Sequence, residues 1–238
     1  MLFFLCWVAC TAPTPQKAAT KEVIKDSIAQ KAPTPIKQRE TPKAIKPTAS
    51  KPDYNTQNWT EVTSLDTSII LDLRYATANN FVKEQMYECG RCFLRPQVAR
   101  RIFRAHQVLQ KQGLGLKMFD CYRPRPIQQK LWDKVPNASY VTPPWKGSMH
   151  NKGAAVDLTI VDAKGKELDM GTEFDYFGER GHHTFKGLPA EVLENRRLLK
   201  ETMAMVGLSA IRTEWWHYSF KGQGYEIADW VWNCPIEN

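Results

Sequence analysis

The composition of this 238-residue chain changes sharply near Pro52, and this change limits the part of the chain that can form a core. Residues 11–52 consist mainly of Pro, Thr, Ala, Lys and Gln and contain few large apolar side chains. Such a segment cannot bury enough apolar surface to offset the entropy lost on folding. We therefore predict a disordered linker over residues 11–52 and one folded domain over residues 53–238.

The predicted domain is large enough to be stable through its own apolar core. A chain of 186 residues buries about 70% of its unfolded surface and needs neither a metal nor a disulfide to hold the core together. A metal site in this domain is therefore expected to serve chemistry rather than folding.

Most of the positive charge of the chain lies outside the predicted domain. The net charge is +8, but residues 1–52 hold nine of the 33 basic residues and three of the 25 acidic ones. The domain is left with 24 basic and 22 acidic residues, a net charge of only +2. We expect no nucleic-acid partner, because binding phosphates requires basic residues concentrated on the folded part.

The first ten residues, MLFFLCWVAC, form an apolar stretch as long as the hydrophobic region of a secretory signal and too short to span a bilayer. Cys10 follows Val8 and Ala9, an arrangement that resembles a bacterial lipoprotein signal, in which the cysteine becomes the lipidated N-terminus. The resemblance implies a signal over residues 1–10, export to the periplasm and membrane anchoring through Cys10. A disordered apolar N-terminus without this role is the alternative.

Apolar periodicity predicts an α+β domain. Helices are predicted over residues 95–112, 126–135 and 189–207, where apolar residues recur at three- and four-residue steps and Pro or Gly stands at an end. Strands are predicted over residues 117–122, 156–162 and 211–220. Because helices and strands do not alternate regularly, we expect a central antiparallel sheet flanked by helices.

Four cysteines lie in the predicted domain: Cys89, Cys92, Cys121 and Cys234. In an exported protein they allow two disulfides in three connectivities, and the sequence does not choose among these. Cys89 and Cys92 also have the spacing of a thioredoxin-like redox site or of half a zinc knuckle. We favour a structural role, because neither a thioredoxin-like pattern nor a second close cysteine pair accompanies them.

Residues 148–157 read SMHNKGAAVD, and the alternating apolar residues that follow predict a strand. In that strand Asp157 points to the face opposite its apolar neighbours. His150 lies upstream of Gly153, which allows the chain to turn back. The segment can therefore bring an imidazole and a carboxylate to one point.

Residues 214–218 read EWWHY and supply His217 as a third candidate ligand. Two histidines and one aspartate suit Zn²⁺, whose catalytic sites use three protein ligands and leave one position open. Glu214 is then the candidate base, able to accept a proton from water and pass it to a leaving amine. Glu214 and His217 would point to opposite faces of a regular strand, so a bulge or a strand end between them is required.

These two segments, together with three others along the chain, resemble the motifs of the zinc D-alanyl-D-alanine dipeptidases of the vancomycin-resistance type, within the zinc D,D-peptidase superfamily. The resemblance extends across most of the predicted domain. It rests on five motifs: Leu73-Arg-Tyr75-Ala-Thr77 with Asn80-Phe81, Asp120-Cys-Tyr122-Arg123-Pro124, Ser148-Met-His150-Asn-Lys-Gly153-Ala-Ala155-Val-Asp157, Asp169-Met-Gly-Thr172-Glu-Phe-Asp175 and Glu214-Trp215-Trp216-His217.

The resemblance implies that His150, Asp157 and His217 bind one zinc ion per chain. It assigns Glu214 as general base and acid. Arg123 falls on the arginine that stabilises the oxyanion of the tetrahedral intermediate in this family, a role that suits a planar and permanently charged donor.

Ser148 and Asp175 are assigned to substrate binding. A dipeptide zwitterion offers an ammonium group to a carboxylate and a carboxylate to hydrogen-bond donors. A closed polar pocket containing both residues would favour short substrates.

These assignments predict hydrolysis of D-alanyl-D-alanine and related small D,D-dipeptides in peptidoglycan metabolism. One alternative is a D,D- or L,D-carboxypeptidase of the same superfamily acting on longer stem peptides. The other is a wall-binding lipoprotein without turnover. The sequence indicates no oligomeric state.

Overall fold

The computed structural model describes residues 51–235, so the signal-like segment and nearly all of the predicted linker lie outside the described part. Within this range no helix combines the length and apolarity that crossing a bilayer requires. The helices are α1 (Pro96–Gln110), α2 (Arg125–Lys134) and α3 (Ala190–Met205). The strands are β1 (Thr60–Glu61), β2 (Ile70–Leu71), β3 (Phe93–Leu94), β4 (Leu114–Asp120), β5 (Ala155–Asp162), β6 (Ser209–Ile211) and β7 (Glu214–Ser219).

The fold is α+β, as the sequence predicts. Strands β2, β4, β5, β7 and β6 form one sheet in that order, and β1 pairs separately with β3. The sheet is antiparallel, as expected, except at one edge, where β2 runs parallel to β4. Parallel neighbours require a crossover connection, and the chain between β2 and β4 contains α1, which packs against β4.

The three predicted helices are present, each with ends within two residues of the predicted ones. Helix α1 shows why the spacing of apolar residues predicted the helices correctly. It begins at Pro96, whose missing amide hydrogen costs nothing in the first turn. Its apolar stripe is buried, with Val98, Ile102 and Leu109 fully enclosed in the core.

The single strand predicted over residues 211–220 is instead the hairpin of β6 and β7, which turns at Arg212 and Thr213. The prediction failed because neither turn residue is a Gly, Pro, Asn or Asp, the residues that usually mark such turns. The turn makes Glu214 the first residue of β7.

Two disulfides resolve the cysteine alternatives. Cys89 bonds Cys234, and Cys92 bonds Cys121. Cys89 and Cys92 are therefore neither a redox pair nor half of a zinc knuckle. The bonds close loops of 145 and 29 residues, a constraint on the unfolded chain worth about 3–5 kcal/mol each.

The C-terminal segment, residues 225–235, lies against an aromatic cluster. Trp230 stacks on Trp59 with ring centroids 5.3 Å apart, and Trp59 lies 4.1 Å from Tyr122. The Tyr122 hydroxyl donates to the Trp230 carbonyl at 2.8 Å. The Cys89–Cys234 disulfide thus ties down a segment that is already packed against the end of β4.

Gly153 connects the turn at His150 to β5 and has a φ of +66°. A Cβ atom here would lie 2.4 Å from the Trp59 ring. Gly113 offers a matched comparison, since its φ is +71° with nothing within 4 Å of the added Cβ.

We expect Gly153→Ala to lower the free energy of unfolding by about 2–4 kcal/mol, because it adds a steric clash to the backbone strain. Gly113→Ala should cost only about 1 kcal/mol. Chemical denaturation of both variants measures the difference. Equal losses would contradict a steric role for Trp59 at this turn.

Candidate metal centre and active site

Strand pairing places three ionisable side chains in one row across the sheet. Asp157 on β5 lies opposite His217 on β7 and opposite Asp120 on β4. The register of β4 against β5 shifts between Met118 and Asp120, so the extra residue brings Asp120 into the row. Without this bulge, Phe119 would face Asp157.

His150 joins the row from a short 3₁₀ turn that precedes β5. Its Nε2 lies 3.3 Å from Asp157 Oδ2 and 3.1 Å from His217 Nδ1. The Nδ1 of His217 lies 2.9 Å from Asp157 Oδ1. One ligand atom from each of the three residues therefore falls within 4.8 Å of the others.

The donor set fits a metal ion, and a neighbouring carbonyl fixes how His150 would contribute. Its Nδ1 lies 2.7 Å from the Cys121 carbonyl oxygen, which can only accept a hydrogen bond. Nδ1 therefore carries the proton, and the Nε2 lone pair points towards Asp157 and His217. A second hydrogen bond of this kind is the usual way to fix a ligating histidine.

The charges at the centre are strongly coupled. Burial alone would raise the pKa of Asp157, but the charge and hydrogen bonds of His150 and His217 together hold this pKa well below its usual range. Burial would lower the pKa of His150, but the Asp157 carboxylate outweighs it and raises this pKa. Asp157 is therefore ionised at neutral pH, as a metal-binding carboxylate must be.

Glu214 lies beside the centre without being one of the three converging residues. Its Oε2 is 3.9 Å from His217 Nδ1. The register of β7 against β6 shifts between Glu214 and Tyr218, which confirms the predicted irregularity and lets both side chains reach the same side. Burial raises the pKa of Glu214.

Arg123 is held on several sides. Its Nε and Nη2 donate to Asp120 Oδ2 at 2.9 and 2.7 Å, and its Nη1 donates to Gln128 Oε1 at 3.1 Å. The guanidinium lies over the Tyr75 ring, 4.9 Å from the centroid. Burial would lower the pKa of Arg123, but the Asp120 carboxylate dominates and keeps it well above its usual value.

Asp175 occupies a strained loop position with a φ of +59°. Its Oδ2 accepts the Tyr75 hydroxyl at 2.9 Å. Burial, and after it the negative charge of Asp157, raise the pKa of Asp175 well above its usual value. Arg196 on α3 fixes the surrounding loop by donating to three backbone carbonyls, those of Met170, Arg180 and His182.

The seven predicted domain site residues all line one cavity of about 430 Å³. They are Arg123, Ser148, His150, Asp157, Asp175, Glu214 and His217. The predicted lipidation site, Cys10, lies outside the described residues. No role followed from the sequence for the aromatic side of the cavity, formed by Phe81, Tyr140 and Phe177, because these residues come from three separate segments, although Phe81 belongs to the first motif.

Asp120 is the main group that received no role from the sequence. It is fully buried, and besides Arg123 it accepts the Tyr87 hydroxyl at 2.8 Å. Asp120 ends β4 and Arg123 lies in the loop after it, so the i, i+3 rule for helices did not signal their ion pair. The bulge that points Asp120 at the site had no sequence signal either.

Comparison with known proteins agrees with the motifs. The family described as Peptidase_M15, D-ala-D-ala dipeptidase, matches residues 56–233. The chain belongs to this family. The resemblance inferred from the five motifs is thereby confirmed.

Relatives within the D-ala-D-ala dipeptidase family match most of their own length. The D-alanyl-D-alanine dipeptidase of Escherichia coli (strain K12) is 34% identical over 167 residues, which cover 70% of this chain and 86% of that protein. The D-alanyl-D-alanine dipeptidase of Enterococcus faecalis is 31% identical over 175 residues, covering 65% and 87%. A structure of the vancomycin resistance D,D-pentapeptidase VanY with Zn(II) is 16% identical, with a TM-score of 0.36, and covers 55% of this chain and 74% of that chain.

Proposed function

We propose that this protein is a zinc-dependent dipeptidase that hydrolyses D-alanyl-D-alanine and related D,D-dipeptides in peptidoglycan metabolism. One observation carries the proposal most directly. His150, Asp157 and His217 converge beside Glu214 in one cavity, in a chain of the D-ala-D-ala dipeptidase family.

In this proposal His150, Asp157 and His217 hold one zinc ion per chain. Two imidazoles and a carboxylate match the nitrogen and oxygen ligands that zinc takes in catalytic sites. When bound, zinc supplies a Lewis acid that polarises the scissile carbonyl and makes water more acidic.

Glu214 moves the proton. Its carboxylate takes a proton from the attacking water and gives it to the leaving amine as the peptide bond breaks. A pKa raised by burial suits this exchange, because a carboxylate with a pKa nearer neutral both accepts and returns a proton readily.

Arg123 stabilises the negative charge that develops on the carbonyl oxygen. Three of its five N–H groups are used by Asp120 and Gln128, which leaves one on each terminal nitrogen. A donor held rigid in this way needs no reorganisation as the charge forms, which favours the transition state over the bound substrate.

Asp175 binds the substrate ammonium group. Among the described residues its carboxylate has no cationic side chain within ion-pair distance. Burial, and after it the negative charge of Asp157, raise the pKa of Asp175, and a substrate ammonium group would favour its ionised form by acting as the missing partner. Ser148, which lines the same cavity, supplies a hydroxyl for the remaining polar groups of the substrate.

The first test is substrate preference. We expect the zinc-loaded protein to hydrolyse D-Ala-D-Ala with a kcat/KM about tenfold or more above that for a stem pentapeptide, because a pocket with buried polar groups discriminates against ligands that do not match them. Removing zinc with a chelator should abolish hydrolysis, and adding zinc should restore it. L-Ala-L-Ala is the control substrate.

A preference for the pentapeptide would instead indicate the carboxypeptidase alternative. Zinc binding without hydrolysis of either substrate would indicate a wall-binding protein.

The second test concerns the base. We expect Glu214→Ala to retain zinc but to lower kcat by at least ~10², the usual contribution of a positioned general base. Metal content and steady-state kinetics measure the two effects separately. Exposed Glu226→Ala is the matched control and should leave both unchanged. A normal rate in Glu214→Ala would remove Glu214 from the mechanism.

We further propose that the protein is exported to the periplasm and anchored to a membrane through a lipid on Cys10. The two disulfides support export, because such bonds form and persist in oxidising compartments. Cys10 and nearly all of the linker lie outside the described residues, so this proposal rests on the disulfides and on the sequence pattern.

Cell fractionation tests the anchor. We expect the unmodified protein in the membrane fraction and Cys10→Ala in the soluble fraction, because it lacks the thiol that receives the lipid. Cys6→Ala, which changes the other cysteine of the segment, should stay with the membrane. An unchanged distribution of Cys10→Ala would exclude Cys10 as the anchor.

A further inference from the structure

Two buried amide side chains lie directly behind the active-site cavity. Asn151 and Gln128 have no solvent exposure, and neither lines the cavity. They come from separate elements, since Asn151 belongs to the turn that carries His150 and Gln128 belongs to α2. The two amides meet at 3.4 Å.

Asn151 connects two of the motifs that supply the site, those of Ser148 and Arg123. Its Oδ1 accepts the backbone N–H of Ser148 at 2.7 Å and the Ser148 hydroxyl at 3.1 Å. Its Nδ2 donates to the Arg123 carbonyl at 2.7 Å. Its own carbonyl accepts the N–H of Ala228 at 2.9 Å, which joins the C-terminal segment to the same point.

Gln128 contacts the Arg123 side chain itself. Its Oε1 accepts both Arg123 Nη1 and Asn151 Nδ2, and its Nε2 donates to the Thr142 carbonyl at 2.7 Å. Thr142 lines the cavity in the segment that also carries Tyr140. Gln128 is therefore hydrogen-bonded both to Arg123 and to a second segment that lines the cavity.

Stability alone does not explain this arrangement. A buried amide gains little net free energy from its hydrogen bonds and is costly when any is lost, so an apolar side chain of similar shape would serve a core equally well. An amide differs from an apolar group in that its hydrogen bonds are directional, so its donor and acceptor fix the orientation of the groups that they contact. Here those groups include Arg123 and Ser148, which both line the active-site cavity.

We propose that Gln128 and Asn151 are positioning residues for the reaction. They fix the Arg123 guanidinium and the Ser148 turn relative to His150, so that Arg123 meets the developing oxyanion without reorganising. The inference rests on the proposed dipeptidase function. It adds that the rate depends on two residues that touch neither substrate nor metal.

The test is a double-mutant cycle on D-Ala-D-Ala hydrolysis with zinc-loaded enzyme. Gln128→Met keeps the shape of the side chain and removes both polar groups. We expect it to lower kcat about tenfold with KM within about twofold, because Arg123 acts in the transition state. In the Arg123→Lys background the same change should have no effect, since the guanidinium it orients is absent.

Two further variants complete the cycle. Gln129→Met, the neighbouring exposed position on α2, should behave as wild type. Gln128→Glu keeps the acceptor for Arg123 and should retain kcat within about threefold of wild type. If Gln128→Met does not fold, Gln128→Ser takes its place in the cycle, because it leaves room for a water molecule to satisfy the Thr142 carbonyl.

The possible outcomes distinguish a failure of this inference from a failure of the proposed function. A lower unfolding midpoint with unchanged kcat in Gln128→Met would show a purely structural role and overturn the inference. A kcat loss that persists in the Arg123→Lys background would overturn it as well. If the wild-type enzyme does not hydrolyse the dipeptide, the proposed function fails first and the positioning role fails with it.

Discussion

The register of β5 against its two neighbours is the constraint on which the site depends. It sets Asp157 opposite His217 on one side and, through a bulge, opposite Asp120 on the other. A shift of one residue would turn the side chains of a strand to the opposite face. The buried apolar residues of β5, among them Leu158 and Ile160, oppose such a shift. The core thus maintains the convergence of Asp157 with His150 and His217.

Charge balance is the second requirement of this site. Asp120, Asp157, Asp175 and Glu214 bring four carboxylates close together, and an uncompensated buried charge is costly. Arg123 neutralises Asp120, and the imidazoles compensate Asp157. Asp175 and Glu214 remain with raised pKa values. In the proposed reaction these two are the groups that meet the ammonium of the substrate and the transferred proton.

The C-terminal segment stabilises the site through hydrogen bonds to residues near it. Ala228 accepts a hydrogen bond from the backbone of Arg125 and donates one to Asn151, and the segment ends at the Cys89–Cys234 disulfide. The turn carrying His150 is therefore held between the sheet and a covalently fixed segment. The disulfide adds to this fastening, because it restricts the unfolded chain.

The sequence by itself determined the helices, the strand at Asp157 and the irregularity required at Glu214, and its five motifs led, through the family resemblance, to the seven domain residues that line the cavity. These features can be predicted because periodicity and motif spacing depend on residues that are close together in the sequence. Only the tertiary structure decided the disulfide pairing, the parallel edge strand, the bulge before Asp120 and the meeting of Gln128 with Asn151. Each of these depends on which distant segments become neighbours, and burial, not local propensity, selects that outcome.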